Sequence, residues 1–391
     1  MRPEFDFDTP VDRRGSASYK WDSMPDGVLP MWVADMDFKT APCIIDALHR
    51  RVDHGVFGYT RVPAEYYEAT VDWFMRRHGW SIDPSHIIYT SGVVPAVSAI
   101  IKAMTGPGDK VLVQTPAYNC FFSSIRNNGC IALDNLLAAD SRGYYTIDFD
   151  SLERQAADPA CRLMLLCNPH NPVGRVWTRD ELARIAEICL RNDVFVIADE
   201  IHCELTYPGH DYTPWATVNH EMTMRSAICV SPSKAFNIAG LQIANIIAPD
   251  AAIRARIDRA INDNEVCDVN PFGVVATIAA YNHGEPWLDA LRRYLHDNYL
   301  LVRKEITGKL ITCKVSPLEG TYLAWIDFRA KGLGSEELDT LLREKACVQL
   351  SPGTIYGAGG DGFMRLNFAC PRHILQYGLD RIVAAIKGIN H

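Results

Sequence analysis

Short apolar runs alternate with amphipathic stretches through the middle of the chain, and this alternation constrains the fold more than any other feature. Strands that are separated by helical stretches form βα units, and such units build a mainly parallel sheet covered by helices. We therefore predict an α/β domain in this part of the chain. The runs are IIYTSG (87–92), KVLVQT (110–115), LMLLCN (163–168), VFVIAD (194–199), AICVSP (227–232) and QIANIIA (242–248).

Two of the intervening stretches carry clear helix signals. The stretch VVPAVSAIIKAM (93–104) directly follows the first run and is predicted to be helical. Thr178 and Glu181 have the spacing of a capping box, in which each residue satisfies a free backbone N–H of the other. Apolar residues then recur at helical spacing, so a helix is predicted to begin after Thr178. These apolar residues are Leu182, Ile185, Ala186 and Cys189.

The two ends of the chain differ from its middle. The first 45 residues are rich in proline and irregular, so we expect them to lie across another part of the molecule. After residue 285, a long helical stretch precedes two strands, a helix over 335–346 and a last strand over 364–369. This order predicts a smaller α+β unit. We expect a large domain over 46–285 and a small domain formed by 1–45 and 286–391.

Composition excludes several classes of protein. The chain has 391 residues, enough for two or three domains, and a net charge of −8. Proteins that bind nucleic acid by neutralising phosphates usually carry the opposite sign, so nucleic acid is not an expected partner. No apolar run approaches the roughly 18 residues of a membrane helix, and MRPEFDFDTP lacks the pattern of a secretion signal. The 12 cysteines form no CxxC pair, and we predict reduced thiols in a cytoplasmic protein.

The sequence contains no nucleotide-binding motif in its usual context and no metal-binding motif. GAGGDG (357–362) has the spacing of a dinucleotide-binding loop, but it precedes a strand instead of following one. The chain contains no GxxxxGK[ST] or HExxH pattern. We predict no metal ligands.

A lysine between serines follows the strand AICV directly, in the order Ser231-Pro232-Ser233-Lys234. Ligands of open parallel sheets bind at the carboxyl ends of the strands, where this group is expected to lie. Serines suit a phosphate, and a lysine amine condenses with a carbonyl group when burial keeps it neutral. The alternative is a solvated surface lysine.

Three further polar groups occur where strands are predicted to end. Asp199 closes VFVIAD and is either a structural strand end or an acid that faces a cofactor's ring nitrogen. The segment 168–174 (NPHNPVG) suits any sharp loop, and it could also fix the amide of Asn171 as a donor to a phenolate oxygen. Ser91-Gly92-Val93-Val94 is a strand–turn–helix junction, whose free N–H groups can bind phosphate.

The order of these motifs makes the chain recognisable. TSG, Tyr118, NPHNPVG, DEIH, SPSKAFNIAGLQ and MRLNFACPR together resemble the fold-type I pyridoxal-phosphate enzymes, the aspartate-aminotransferase-like superfamily, over nearly the whole chain. WVADMDF (32–38), DEIH (199–202) and SKAFNIAGLQ (233–242) are similar to the MalY/PatB-type carbon–sulfur lyases, also called cystathionine β-lyases. The resemblance implies a large domain with a mainly parallel seven-stranded sheet and a smaller α+β domain.

The resemblance also implies roles for the residues that would touch the cofactor ring and the substrate. Lys234 would bond covalently to pyridoxal phosphate and remove the Cα proton of the substrate. Asp199 would pair with the ring nitrogen and Tyr118 would stack on the ring. Asn171 would donate to the phenolic oxygen. Arg365 would clamp the substrate carboxylate beside Tyr118 and Asn171, because its planar fork binds both oxygens.

The phosphate site implied by the resemblance draws on two subunits. Gly92, Val93, Ser231 and Ser233 would hold the phosphate, and Tyr59 would reach it from the second chain of a homodimer. His202 stands where many relatives have a tyrosine near the phenolic oxygen.

The implied activity is β-elimination from cystathionine or other cysteine S-conjugates, which gives a thiol such as homocysteine, pyruvate and ammonia. Gln242 stands where aminotransferases usually carry a phosphate-binding arginine, and this departure favours the lyase group. Two alternatives stay open. One is an aminotransferase that uses the same site, and the other is a non-catalytic regulator that binds the cofactor as a ligand.

Overall fold

The computed structural model of the chain describes residues 5–263, 265 and 268–389. Its larger sheet has seven strands in the spatial order β1-β7-β6-β5-β4-β2-β3. Strands β2 to β6 pair in parallel, whereas β7 runs antiparallel to both of its neighbours. The expected mainly parallel, seven-stranded sheet is therefore confirmed. Its strands are β1 (Ile87–Thr90), β2 (Lys110–Thr115), β3 (Ile131–Leu136), β4 (Cys161–Cys167), β5 (Phe195–Asp199), β6 (Ser226–Val230) and β7 (Ala244–Ile247).

Six of the strands lie within or next to the six apolar runs. Every residue of β5, β6 and β7 is buried, as continuous apolar runs require in a sheet covered on both faces. The seventh strand, β3, was not predicted. It forms one edge of the sheet and only Asn135 of its six residues is fully buried, so its sequence IALDNL carries no apolar run.

Helices cover the large sheet and continue into the C-terminal part. The predicted capping box is present, because Thr178 Oγ1 accepts from the Glu181 N–H at 3.2 Å and Glu181 Oε2 accepts from the Thr178 N–H at 2.8 Å. The helices are α1 (Pro42–Asp53), α2 (Ala64–His78), α3 (Val93–Met104), α4 (Asn119–Asn127), α5 (Phe149–Ala156), α6 (Arg179–Arg191), α7 (Ala251–Asn262), α8 (Pro271–His283), α9 (Glu285–Lys309), α10 (Ser335–Leu341) and α11 (Arg372–Lys387). Four-residue helices occur at Tyr19–Asp22 and His220–Thr223.

A second, antiparallel sheet occupies the C-terminal part in the order β8-β9-β11-β10. The helix expected over 335–346 is α10, which continues through the wider turn Leu342–Ala346. Helix α11, which was not predicted, packs against α9. The strands are β8 (Lys314–Val315), β9 (Leu323–Asp327), β10 (Ser351–Pro352) and β11 (Phe363–Asn367).

The N-terminal segment joins both parts of the molecule. Leu29–Pro30 pairs in parallel with Val348–Gln349, next to the second sheet. Helix α1 instead packs against α8. This helix spans the expected domain boundary at residues 45 and 46. Among the described residues, no helix is both long enough and apolar enough to cross a bilayer.

Candidate active site

A cavity of about 200 Å³ lies at the carboxyl ends of β1, β5 and β6. Parallel strands bring their carboxyl ends to one edge of a sheet, so residues far apart in sequence meet there. Ala34 and Gln242 also line the cavity. Eight predicted site residues line it: Gly92, Val93, Tyr118, Asn171, Asp199, His202, Ser233 and Lys234.

Lys234 places its amine inside this cavity. Its Nζ donates to the main-chain oxygen of Ala34 at 2.6 Å. Burial and the positive charge of Arg365 lower the pKa of Lys234 to about 8, while the carboxylates of Asp35 and Asp199 act in the opposite direction. The amine is therefore much closer to neutrality than a surface lysine.

Asp199 is the last residue of β5 and is almost fully buried. Its Oδ1 accepts the Ile201 N–H at 3.1 Å. Burial raises the pKa of Asp199 to about 6, against the lowering effects of that N–H and of the charge on Lys234. Within the described residues no cationic side chain forms an ion pair with this carboxylate, so the carboxylate has capacity for a protonated ligand nitrogen.

Arg365 borders the cavity through Asn171. Its Nη1 donates to Asn171 Oδ1 at 3.0 Å, and its Nη2 donates to Trp32 O at 2.9 Å. The bond from Arg365 fixes the orientation of the Asn171 amide and leaves Asn171 Nδ2 available as a donor. The Nε of Arg365 is buried and has no hydrogen-bond partner among the described residues.

The N-terminus of α3 opens on the cavity. Gly92 is the residue before this helix, and both Gly92 and Val93 line the cavity, which suits an anion. Ser233 also lines it, but Ser231 does not. The Ser231 hydroxyl donates to Ile243 O at 2.6 Å and accepts the Ser233 N–H at 3.1 Å, so it holds the loop that carries Lys234.

Two aromatic side chains in the cavity are neutral near pH 7. Burial raises the pKa of the Tyr118 phenol well above 10, so the hydroxyl keeps its proton. Burial and the positive charges of Lys234 and Arg365 lower the pKa of His202 to about 3. The His202 Nδ1 is buried with no hydrogen-bond partner in the part of the chain that the structure describes, and the ring meets Tyr322 edge-on with the centroids 6.1 Å apart.

Tyr59 does not line the cavity of its own chain. Its side chain is 100% exposed, and the nearby Val56 and Phe57 are also exposed. The expectation that Tyr59 enters the site of a second subunit remains a prediction.

Sequence reasoning missed two groups at the cavity. The carbonyl oxygen of Ala34 accepts from the Tyr322 hydroxyl at 2.8 Å as well as from Lys234. WVADMDF indicates only the family resemblance, because the position of a main-chain oxygen does not show in residue identity. Tyr322 directly precedes β9, where an aromatic residue carries no functional signal.

One cluster elsewhere has the composition of a metal site. Ligand atoms of His78, Cys203 and Glu204 lie within 4.8 Å of one another. The Glu204 carboxylate already accepts from Trp73 Nε1 at 2.6 Å and Arg77 Nε at 2.9 Å, and it pairs with His78 Nε2 at 2.7 Å. The structure therefore accounts for this cluster as a buried ion-pair network.

The chain is similar to known proteins in both sequence and structure. The profile of the family described as "Aminotransferase class I and II" matches residues 27–382. The chain is 44% identical to "Cystathionine beta-lyase PatB" of Bacillus subtilis, over 97% of this chain and 100% of that protein. It is 37% identical to "Protein MalY" of Escherichia coli, over 98% and 100%.

A solved structure from Clostridium difficile 630, a "PLP-bound putative aminotransferase", superimposes with a TM-score of 0.95 at 42% identity. The match covers 98% of this chain and 100% of that one. The similarity extends over the whole fold, including all strands that border the cavity.

Proposed function

Because the chain belongs to the class I and II aminotransferase family, we propose that it is a pyridoxal-phosphate-dependent carbon–sulfur β-lyase. Its substrates are cystathionine or other L-cysteine S-conjugates, and its products are a thiol, pyruvate and ammonia. The proposal rests on one observation. Lys234, Asp199 and Asn171 meet in one cavity of a chain that is 44% identical to a protein named cystathionine β-lyase.

The residues of the cavity fit pyridoxal phosphate. The amine of Lys234 suits its aldehyde, and the buried Asp199 carboxylate suits a protonated ring nitrogen. The N-terminus of α3 suits its phosphate. Within the described ranges, the buried Nδ1 of His202 and the buried Nε of Arg365 have no hydrogen-bond partner, as expected of side chains that surround a polar ligand and its substrate.

When bound, the cofactor would supply an electron sink that stabilises the negative charge at the substrate Cα. Asp199 would keep the proton on the ring nitrogen by placing a negative charge beside it. Arg365 would orient the substrate carboxylate, and Lys234 Nζ would take the Cα proton. The Cα–H electron pair would then form the Cα–Cβ double bond as the thiolate leaves Cβ with its own bonding pair, and hydrolysis would yield pyruvate and ammonia.

The remaining residues would hold and orient the cofactor. Tyr118 would stack on the ring, and the neutral His202 would lie near its phenolic oxygen with Asn171. Gly92, Val93 and Ser233 would bind the phosphate. Ser231 would join them only by releasing its bond to the Ile243 carbonyl.

A homodimer belongs to this proposal. The exposed segment with Val56, Phe57 and Tyr59 offers apolar surface to a second copy, whose cavity would receive Tyr59.

We also propose domain boundaries near residues 45 and 286, which the presence of two separate sheets supports. We further propose a cytoplasmic location. The eleven described cysteines are free thiols, which suits a reducing compartment.

An aminotransferase is the second candidate, favoured by the name of the Clostridium difficile structure. Both reactions begin when Lys234 takes the same proton, so the residues of the first step do not distinguish them. Gln242 lines the cavity where aminotransferases usually carry an arginine, which supports the lyase.

A product assay separates the two. We expect the holoenzyme to convert L-cystathionine into equal amounts of pyruvate, ammonia and thiol without an added keto acid. Lys234→Ala, which lacks the base, is the matched control and should be inactive. Turnover that depends on 2-oxoglutarate, with no pyruvate in its absence, would establish the aminotransferase.

A further inference from the structure

Side chains of the second sheet bind the main chain of the segment Trp32–Phe38, which we call the strap. Arg365 Nη2 and Ser351 Oγ donate to Trp32 O at 2.9 and 3.0 Å. Asn367 Nδ2 donates to the carbonyl oxygens of Val33 and Asp35, both at 2.6 Å. Because side chains make these contacts, single substitutions can shift the strap.

Charged side chains that are buried or half-buried anchor the strap on another side. Arg13 pairs with Asp35 and with Asp37, both at 2.7 Å, and Lys20, which is 1% exposed, pairs with Asp37 at 2.8 Å. Removing one partner of the buried pair Lys20–Asp37 would leave an uncompensated charge, so this contact resists separation.

Asn237 ties the strap to the loop that carries Lys234. Its Nδ2 donates to Met36 O and to Phe38 O, and its Oδ1 accepts the Met36 N–H, all at 2.9 Å. Asn237 has φ +54°, in the left-handed region that asparagine tolerates better than most residues. It follows Lys234 by three positions, so one loop carries both the amine and the clamp on the strap.

The strap carries the oxygen that binds the amine, the carbonyl of Ala34. This oxygen accepts from Lys234 Nζ at 2.6 Å and from the Tyr322 hydroxyl at 2.8 Å. A carbonyl can only accept, so a neutral amine donates one N–H to it and keeps its lone pair directed elsewhere. After the amine has taken a proton, the same oxygen stabilises the ammonium through a charge-assisted bond.

We propose that Asn237 is a positioning residue: by fixing the strap, it holds the Ala34 carbonyl where it orients the free amine of Lys234 for proton transfer. The inference rests on the proposed function, which assigns the proton transfer to Lys234.

The test compares Asn237→Ala with Thr40→Val. Thr40 Oγ1 donates to Phe236 O at 2.6 Å, so the control removes a bond between the same two stretches without touching Met36 or Phe38. For Asn237→Ala we expect kcat to fall about tenfold while KM changes less than about twofold, because the substrate-binding side chains are intact. The kinetic isotope effect with Cα-deuterated substrate should rise, because proton transfer becomes more rate-limiting. Thr40→Val should leave kcat and the isotope effect unchanged.

A second readout does not depend on turnover. Amide hydrogen exchange in the strap of the holoenzyme should be faster in Asn237→Ala than in Thr40→Val. If Asn237→Ala does not fold, Tyr322→Phe removes the other donor to Ala34 O and should raise the isotope effect to a smaller extent.

Two results overturn the proposal: an unchanged isotope effect in the folded variant, or equal effects of Asn237→Ala and Thr40→Val. If the wild type transfers amino groups and releases no pyruvate, the proposed function fails. The isotope effect on the amino-transfer reaction then still decides the role of Asn237.

Discussion

Lys234 is surrounded by charges of both signs, and its burial has the largest effect on its pKa. Arg365 favours the neutral amine, whereas Asp35 and Asp199 favour the charged one. The side chain is buried in the cavity, which weakens the solvation of an ammonium ion. The net result is a pKa of about 8 instead of 10.5, so a substantial fraction of the amine is neutral near physiological pH.

This pKa predicts the pH dependence of cofactor uptake by cofactor-free protein. Only the neutral amine reacts with an aldehyde, so the uptake rate should rise with pH up to about pH 8 and then level off. Stopped-flow absorbance measures the rate, and borohydride reduction followed by peptide mapping identifies the lysine. Asp35→Asn should move the plateau to lower pH, because Asp35 raises the pKa of Lys234. A rate that still increases at pH 10 would show an ordinary amine.

At the scale of single residues, the sequence predicted which side chains lie at the candidate site but not which main-chain groups do. Lys234, Asp199 and Asn171 were identifiable because each follows an apolar strand in a recognisable motif. The Ala34 carbonyl was not, because its position depends on side chains as distant in sequence as Asn237 and Asn367. Ser231 was assigned to the phosphate from its position in the motif, yet rotation about its side chain directs the hydroxyl to Ile243.

Among the elements, α6 carries in its first turn a side chain, that of Glu181, which forms both the helix cap and an ion pair with a buried arginine. Glu181 completes the capping box with Thr178. The same carboxylate binds the buried Arg175 at 3.0 Å, which also pairs with Glu319 at 2.8 Å. The start of α6 is therefore coupled to the interior of the protein.

This coupling predicts an order of stability among three variants. Thr178→Ala should cost about 1 kcal/mol through the lost cap. Glu181→Ala should cost more, because it also leaves a buried guanidinium with one partner fewer. Glu187→Ala, at an exposed position of the same helix, is the control and should change the melting temperature little. Equal losses for Thr178→Ala and Glu181→Ala would contradict the coupling.

The elements that sequence predicted best are those with a continuous apolar run or a cap. Strand β3 has neither, because it forms the edge of the sheet and much of it faces solvent. The second sheet contains the two-residue strand β10, which is too short for a period-two pattern to be visible. Tertiary pairing, which no local pattern encodes, creates these strands.

For the whole molecule, the exposed Tyr59 predicts complementation between inactive chains. Tyr59→Ala and Lys234→Ala should each be impaired as homodimers. In a mixed dimer, one site carries both defects and the other carries neither. Activity should therefore return after co-refolding, approaching half that of a wild-type dimer per mixed dimer.

The complementation is measured on mixed dimers that are isolated with two different affinity tags. A mixture of the two separately refolded homodimers is the control and should stay inactive. Mixed dimers without activity, or an active monomer in sedimentation, would show that Tyr59 does not act across subunits.

The reversed strand β7 determines when the cavity can form during synthesis. Within the large sheet, β1 is bonded only to β7, with Thr90 opposite Ala244. The first strand of the sheet to leave the ribosome must therefore wait for the last, while the strands between them can already pair. Contacts between residues so distant in sequence form slowly, and an unpaired strand edge invites aggregation in the interval. Gly92 lies at the end of β1, so we expect the phosphate site proposed there to be complete only after β7 has been made.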